Sequence, residues 1–291
     1  MSALTSFIAR RSGIRILLIK GLVAEELKLR PARGYADVDV LVEPARFDEF
    51  IEQLARIGWH ERVHLWLFDR IDEHSMAVIH DNWPIDIDVH RYFPGFLRSP
   101  EDVFEQLWEH RQAFTIAATE RTGTDAVAGA AILGLHSLRS LHYERTSREY
   151  TFLVDQLRAD PETAEALAEL AAQTGSSETL SPLLSAVGVP PRPGPAIDRH
   201  DLAAWRRRTA HPSRAGEWMT YFSRIPVRRW PGELRVVIWP PRELYLQDHP
   251  DAGATRAGLI RHRIRRLGRG AVGVAKALFA TNGRAPRSPH E

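Results

Sequence analysis

The sequence contains no cysteine. That absence removes disulfides, thiolate nucleophiles and the usual structural zinc sites together, so any metal must be held by carboxylates, histidines, backbone carbonyls or water. It also lacks an apolar run as long as a bilayer-crossing helix needs. The first residues, MSALTSFIARRSG, have neither a signal-peptide core nor a cleavage site. These absences predict a cytoplasmic protein with no membrane span. Lysine is nearly missing: Lys20, Lys28 and Lys276 stand among 39 basic side chains, the rest arginine. Neither G-x-S-x-G nor G-x-x-x-x-G-K-[ST] occurs, which argues against a serine hydrolase and a P-loop NTPase.

What is present is an ordinary globular composition. Hydrophobic residues make up 44% and charged residues 26% of 291 positions, enough to bury a sizeable core and too many for wholesale disorder. The length suits two domains better than one. The formal charge of +2 does not advertise a nucleic-acid binder, so the placement of the arginines matters more than their sum.

The first hundred residues read as an α+β unit. Ile14 to Ile19 is short and apolar, a buried strand ending at Gly21. Leu22 to Arg30 reads as a helix, and Pro31 and Gly34 break it. Pro44 opens a second helix, with Phe47, Phe50, Ile51, Leu54 and Ile57 on one face before Gly58. Val63 to Phe68, Ser75 to His80 and Ile85 to His90 are further strands, with Asp81 to Pro84 as a turn. Beyond Glu101 the character changes, and alanine and leucine at helical spacing dominate residues 125 to 172. A proline-rich stretch runs from Val187 to Pro195. Nine Arg or Lys and no acid lie between Ala252 and His290, which predicts a basic, partly helical tail with a disordered end. The expected divisions are a core over 1–120, a mainly helical domain over 121–251 and the tail over 252–291.

Two strands carry an unusual polar face. In ADVDVLVEP, Val38, Val40 and Val42 point one way and Asp37, Asp39 and Leu41 the other. Carboxylates at i and i+2 of a strand lie about 6 to 7 Å apart on one face and repel unless cations or donors compensate them. The device recurs in PIDIDVH, where Asp86, Asp88 and His90 share a face. Were the two strands neighbours, Asp86 or Asp88 would complete a three-carboxylate cluster suited to one or two magnesium ions and to displacement at phosphorus. Lys20 and Gly21 end the first strand at a helix start, where N–H groups and an ammonium suit phosphate oxygens. Arg33 adds a guanidinium four residues before Asp37. Of the 13 histidines, His90 stands out because it shares a face with Asp88. A polar stripe of His136, Arg139, His142, Arg145 and Arg148 follows helical spacing in part and reads either as facing the site or as solvent-facing.

LLIKG, RGYADVDVLVEP, the L-x-x-x-G of Leu54 to Gly58 and IDIDVH together resemble the uncharacterised nucleotidyltransferase family within the DNA polymerase β-like superfamily. LGLHSLRSLHYE and VVIWPPRELYL are fainter echoes. The resemblance implies a small mixed β-sheet flanked by helices, followed by a mainly helical C-terminal region. It implies transfer of a nucleoside monophosphate from an NTP with release of pyrophosphate, dependent on Mg2+, two ions, with Mn2+ as a substitute. Asp37 and Asp39 would bind both ions and Asp88 the catalytic one. Lys20, Gly21 and Arg33 would hold the nucleotide, although the wider superfamily has glycine-serine where this chain has Lys20-Gly21. The acceptor is left open among a small molecule, a peptide, a protein and tRNA. Two rival readings are a non-catalytic nucleotide-binding or partner-binding accessory protein and an RNA-binding protein acting through the tail.

Overall fold

The computed structural model describes residues 1–33, 37–62, 74–116, 118–210, 222, 225–242, 245–246, 252 and 255–281. The chain divides into two compact units, one of Met1–Arg62 with Asp72–Thr209 and one of Val63–Ile71 with Ala210–Glu291.

The first unit is built on a seven-stranded mixed sheet. Its strands are β1 (Ile16–Ile19), β2 (Asp37–Val42), β3 (His60–Glu61), β4 (Ser75–Ile79), β5 (Asp86–His90), β6 (Arg111–Ile116) and β7 (Thr119–Thr124). They lie in the order β3-β4-β5-β2-β1-β7-β6. The two D-x-D strands are neighbours. β2 and β5 run parallel, with Asp37 opposite Asp86, Asp39 opposite Asp88 and Leu41 opposite His90. On its other side β2 pairs antiparallel with β1, where Ile19 faces Asp39.

Alternation along these strands sorts their side chains into two cores. Ile16, Leu18, Val40, Val42, Ile87 and Val89 pack with α1 (Ser2–Ser12) and α3 (Phe47–Ala55) through Ile8, Phe47, Phe50 and Leu54. Leu17, Ile19 and Leu41 point to the opposite face. There they meet α4 (Pro100–Glu109), α5 (Ala126–Leu138), α6 (Glu144–Ala159), α7 (Pro161–Gln173) and α8 (Ser181–Val187). The polar positions Asp39, Asp88 and His90 share this second face, so they look toward the helical layer.

α5 is the middle of that layer. The Asp125 side chain caps its start by accepting from the Ala128 N–H at 2.9 Å. The helix is then apolar on all sides, as a buried helix must be. Gly134 makes this possible: a Cβ there would stand 2.5 Å from Leu183 Cδ2.

Several elements differ from the expected ones. The helix expected over Leu22 to Arg30 is the short α2 (Gly21–Glu26), which ends as Lys28 turns to φ 56. The helix opened by Pro44 is a 3-10 turn, Pro44–Arg46, running into α3. The β6–β7 hairpin is absent from the sequence reading because β6 is mostly exposed and its alternation is weak. Position 120, where the core was expected to end, lies inside β7. The strand expected over Val63 to Phe68 lies outside the described residues.

In the second unit, α10 (Trp230–Ile238) and α11 (Arg256–Thr281) are the principal described helices; α9 (Arg199–Ala210) ends the first unit. Tyr245 is fully buried, and its hydroxyl lies 2.6 Å from His262 Nδ1. Arg263 stacks over Trp239 and Tyr245 and donates to the Pro240 carbonyl at 2.8 Å. A cavity of about 980 Å³ opens beside Trp239, lined by Arg235, Arg242, Arg256, Leu259 and Ile260 among others. A G-x-G-x-x-G spacing, Gly268 to Gly273, falls inside α11 and follows no strand, so it is not the turn of a dinucleotide-binding unit. Among the described residues, no helix is long and apolar enough to cross a membrane.

Candidate active site

At the end of β1 the chain makes a sharp turn. Lys20 has φ 52 and ψ −145, and Gly21 has φ 38. A non-glycine residue held there costs roughly 1–3 kcal/mol, so the surroundings must favour the conformation. A Cβ at Gly21 would meet nothing within 4 Å; the backbone angle, not lack of space, calls for glycine. The turn delivers the Lys20 ammonium to the sheet face, with Nζ 2.5 Å from Asp39 Oδ1.

Asp39 is buried, at 6% exposure. The parallel register sets Asp88 beside it, and His90, two residues on, reaches back between them. His90 Nε2 lies 3.2 Å from Asp39 Oδ1 and 3.0 Å from Asp88 Oδ2. Asp39, Asp88 and His90 each present a ligand atom, all within 4.8 Å of one another. That is the spacing of a site for one metal ion, and two carboxylate oxygens in it suit a hard divalent cation.

The electrostatics follow from this crowding. Burial pushes the Asp39 carboxyl up, but Lys20 and His90 outweigh it and hold the group below the usual carboxylate range. Asp88 is only partly buried, and against its desolvation His90, Lys20 and a hydrogen bond from Ser75 hold it well below that range. Burial works to keep His90 neutral, whereas the charge of Asp88 and the hydrogen bonds to both aspartates raise its pKa. Asp37 moves the other way. Although it is exposed, partial desolvation by its surroundings, and then repulsion from Asp39, raise its pKa against the pull of Lys20. Three acids on one face are thus balanced by one ammonium and one imidazole.

Of the residues singled out from the sequence, Lys20, Asp39, Asp88 and His90 meet here. Asp37 sits at the exposed start of β2, one pleat away on the same face. Asp86, level with Asp37, forms an ion pair with Arg62. Arg33 also finds a protein partner: its guanidinium is 3.2 Å from Glu149, and its backbone N–H donates to the Glu25 carboxylate at 3.1 Å. Of the aromatics near these strands that could stack on a base, Tyr35, Trp66 and Trp83, the first two lie outside the described residues and Trp83 is half-exposed in the turn before β5.

One contributor carried no signal in the sequence. The Phe93 ring has the Lys20 ammonium 5.6 Å from its centroid, the Arg139 guanidinium at 5.3 Å and the His90 ring at 5.6 Å. A buried phenylalanine three residues after His90 reads only as core. The sequence also holds an H-E-x-x-H, His60 to His64. Its first two residues form β3, not the helix on which a zinc protease carries this motif, and His64 lies outside the described residues.

No family model matches the chain, and no curated protein matches it. Solved structures similar to it include two that illustrate the likeness. One is the lincosamide antibiotic adenylyltransferase LnuA with lincomycin bound, at 16% identity and a TM-score of 0.34, over 50% of this chain and 90% of that one. The other is an antigenic nucleotidyltransferase-like protein from Paracoccidioides brasiliensis, at 11% identity and a TM-score of 0.37, over 65% of this chain and 90% of that one. Likeness at this level carries no residue-by-residue correspondence.

Proposed function

We propose that this chain is a divalent-metal-dependent nucleotidyltransferase that moves a nucleoside monophosphate from an NTP to an acceptor and releases pyrophosphate. The observation that carries the reading is the in-register pairing of two D-x-D strands, which brings Asp39 and Asp88 together with His90 on the face turned to the helical layer. Mutually repelling carboxylates held side by side at a partly buried site have no structural use that apolar residues would not serve better.

Asp39 and Asp88 would hold the ion, with Asp37 contributing from the exposed end of β2. Magnesium, as one ion or two, or manganese, would neutralise the phosphate oxygens and orient the α-phosphorus when bound. Lys20 adds a positive charge at the same place, and release of Asp39 to an ion would free its ammonium for a phosphate oxygen. The bond formed joins the acceptor oxygen to the α-phosphorus, and the bond broken joins that phosphorus to the bridging oxygen. The electron pair of that bond leaves on pyrophosphate, and the acceptor's proton passes toward Asp88 and then to solvent. His90 keeps the two aspartates at a fixed separation. The acceptor is a small molecule, a peptide, a protein or tRNA.

The test is incubation of the protein with Mg2+ or Mn2+, labelled NTPs and cell extract. Label should appear on an acceptor with wild type and vanish with Asp39→Asn. Labelling that survives in that variant would overturn the assignment.

A second reading, RNA contact through the basic carboxy-terminal region, is favoured by one feature. Arg235, Arg242 and Arg256 surround the half-exposed Trp239 at the cavity of the second unit, and among the described residues they form no ion pair. Guanidinium groups beside an indole suit the phosphates and bases of a single strand. RNA affinity that falls steeply with salt and is reduced in Trp239→Ala, with no pyrophosphate released under any condition, would favour this reading over the enzyme.

A further inference from the structure

The sheet face supplies carboxylates, and the helix layer opposite supplies a guanidinium and an imidazole that the proposed reaction has not yet used. α5 is apolar along most of its length, but its last turn carries His136, and Arg139 follows as its C-cap. Residues three apart lie on one side of a helix, so the two side chains project together. The Arg139 guanidinium packs on the same Phe93 ring that the Lys20 ammonium and the His90 ring approach. This ring ties the end of α5 to the carboxylate site.

His136 reinforces the placement. Its Nδ1 is buried and has no hydrogen-bond partner among the described residues. A buried ring nitrogen without a partner costs roughly 1–3 kcal/mol, which a ligand atom would relieve. Burial, and then the charges of Lys20 and Arg139, lower its pKa to about 3. It is therefore a neutral imidazole at working pH, able to donate at one nitrogen and accept at the other.

We infer that Arg139, assisted by His136, binds the β- and γ-phosphates of the NTP, the part that leaves as pyrophosphate. The inference rests on the nucleotidyltransferase reading and adds to it a division of labour. The sheet, through Asp39 and Asp88, takes the ion and the α-phosphate, and the end of α5 takes the terminal phosphates. A planar guanidinium matches two phosphate oxygens at once, which an ammonium does not.

The experiment is calorimetric titration of the full chain with inorganic tripolyphosphate in the presence of Mg2+, a probe that needs no knowledge of the base. Arg139→Gln should weaken binding by about tenfold or more, the loss expected for one charge-assisted contact. Arg139→Lys, which keeps a charge over Phe93, should recover part of that loss. Thermal midpoints report whether each variant is folded. Wild-type affinity in folded Arg139→Gln would overturn the inference. Should Arg139→Gln fail to fold, His136→Asn decides: a loss of about threefold supports the pair, and unchanged affinity overturns it. Failure of the wild-type protein to bind either tripolyphosphate or any NTP would instead bring down the nucleotidyltransferase reading, and this inference with it.

Discussion

Lys20 Nζ stands 2.5 Å from Asp39 Oδ1, an ion pair between the strained end of β1 and the middle of β2. Both groups are largely buried, at 13% and 6% side-chain exposure, so each is costly without the other. The ammonium thus supplies positive charge to the same carboxylate that is a candidate metal ligand.

Replacing Lys20 with methionine should therefore destabilise the metal-free protein by about 2 kcal/mol, less than a wholly isolated pair would lose because His90 still contacts Asp39. Urea unfolding measures this. The same variant should bind an NTP more weakly; unchanged binding and rate would remove Lys20 from the site.

Asp88 and Asp86 separate cleanly. Asp88 contacts His90 at 3.0 Å, whereas Asp86 is engaged by Arg62. Asp88→Asn should reduce Mn2+ affinity and nucleotidyl transfer by roughly 100-fold. Asp86→Asn should change either by less than about threefold, within the range of a lost half-exposed ion pair. Manganese binding followed by electron paramagnetic resonance reads both. Chelation of divalent ions should abolish transfer in the wild type.

His110 provides a pH test away from the site. Its Nδ1 lies 2.8 Å from Asp125 Oδ2, and Asp125 caps α5. The hydrogen bond to Asp125 and that residue's charge raise the His110 pKa against the effect of burial. A raised folded-state pKa means the stabilisation is complete below the unfolded value, near 6.5, and is lost as pH rises through the folded one. Thermal stability should fall by about 1 kcal/mol on this account between pH 6 and pH 9. His110→Gln should flatten that slope; an equal slope in wild type and variant would count against the pairing.

Leu135, fully buried on α5 immediately before His136, tests how far the helix end depends on its packing. Leu135→Ala should cost about 3 kcal/mol by leaving a cavity. It should also weaken tripolyphosphate binding, through the position of α5, by less than Arg139→Gln does.

Local periodicity made much of the candidate site readable. Alternation in DVDV and DIDVH assigns the acids and His90 to one face of their strands, because a strand's side chains repeat every two residues whatever surrounds them. The β1 strand, the apolar face of α3 and the helical run after residue 125 were readable for the same reason. The β6–β7 hairpin was not, since exposed strands carry little hydrophobic signal. Arg33 reads as a phosphate ligand from its place in the loop, yet it pairs with Glu149, 116 positions later. No local pattern encodes a partner at that distance.

The sequence by itself thus determined which side chains share a face, that the acids needed compensation, and that no thiol takes part. Only the tertiary structure decided that Asp39 stands opposite Asp88, that Lys20 turns back onto Asp39, and that Phe93 gathers Lys20, His90 and Arg139 around one ring. The division has a physical cause. Side-chain direction is set by the dihedral angles of a few consecutive residues, whereas strand register and helix docking are set by burial of the whole apolar surface.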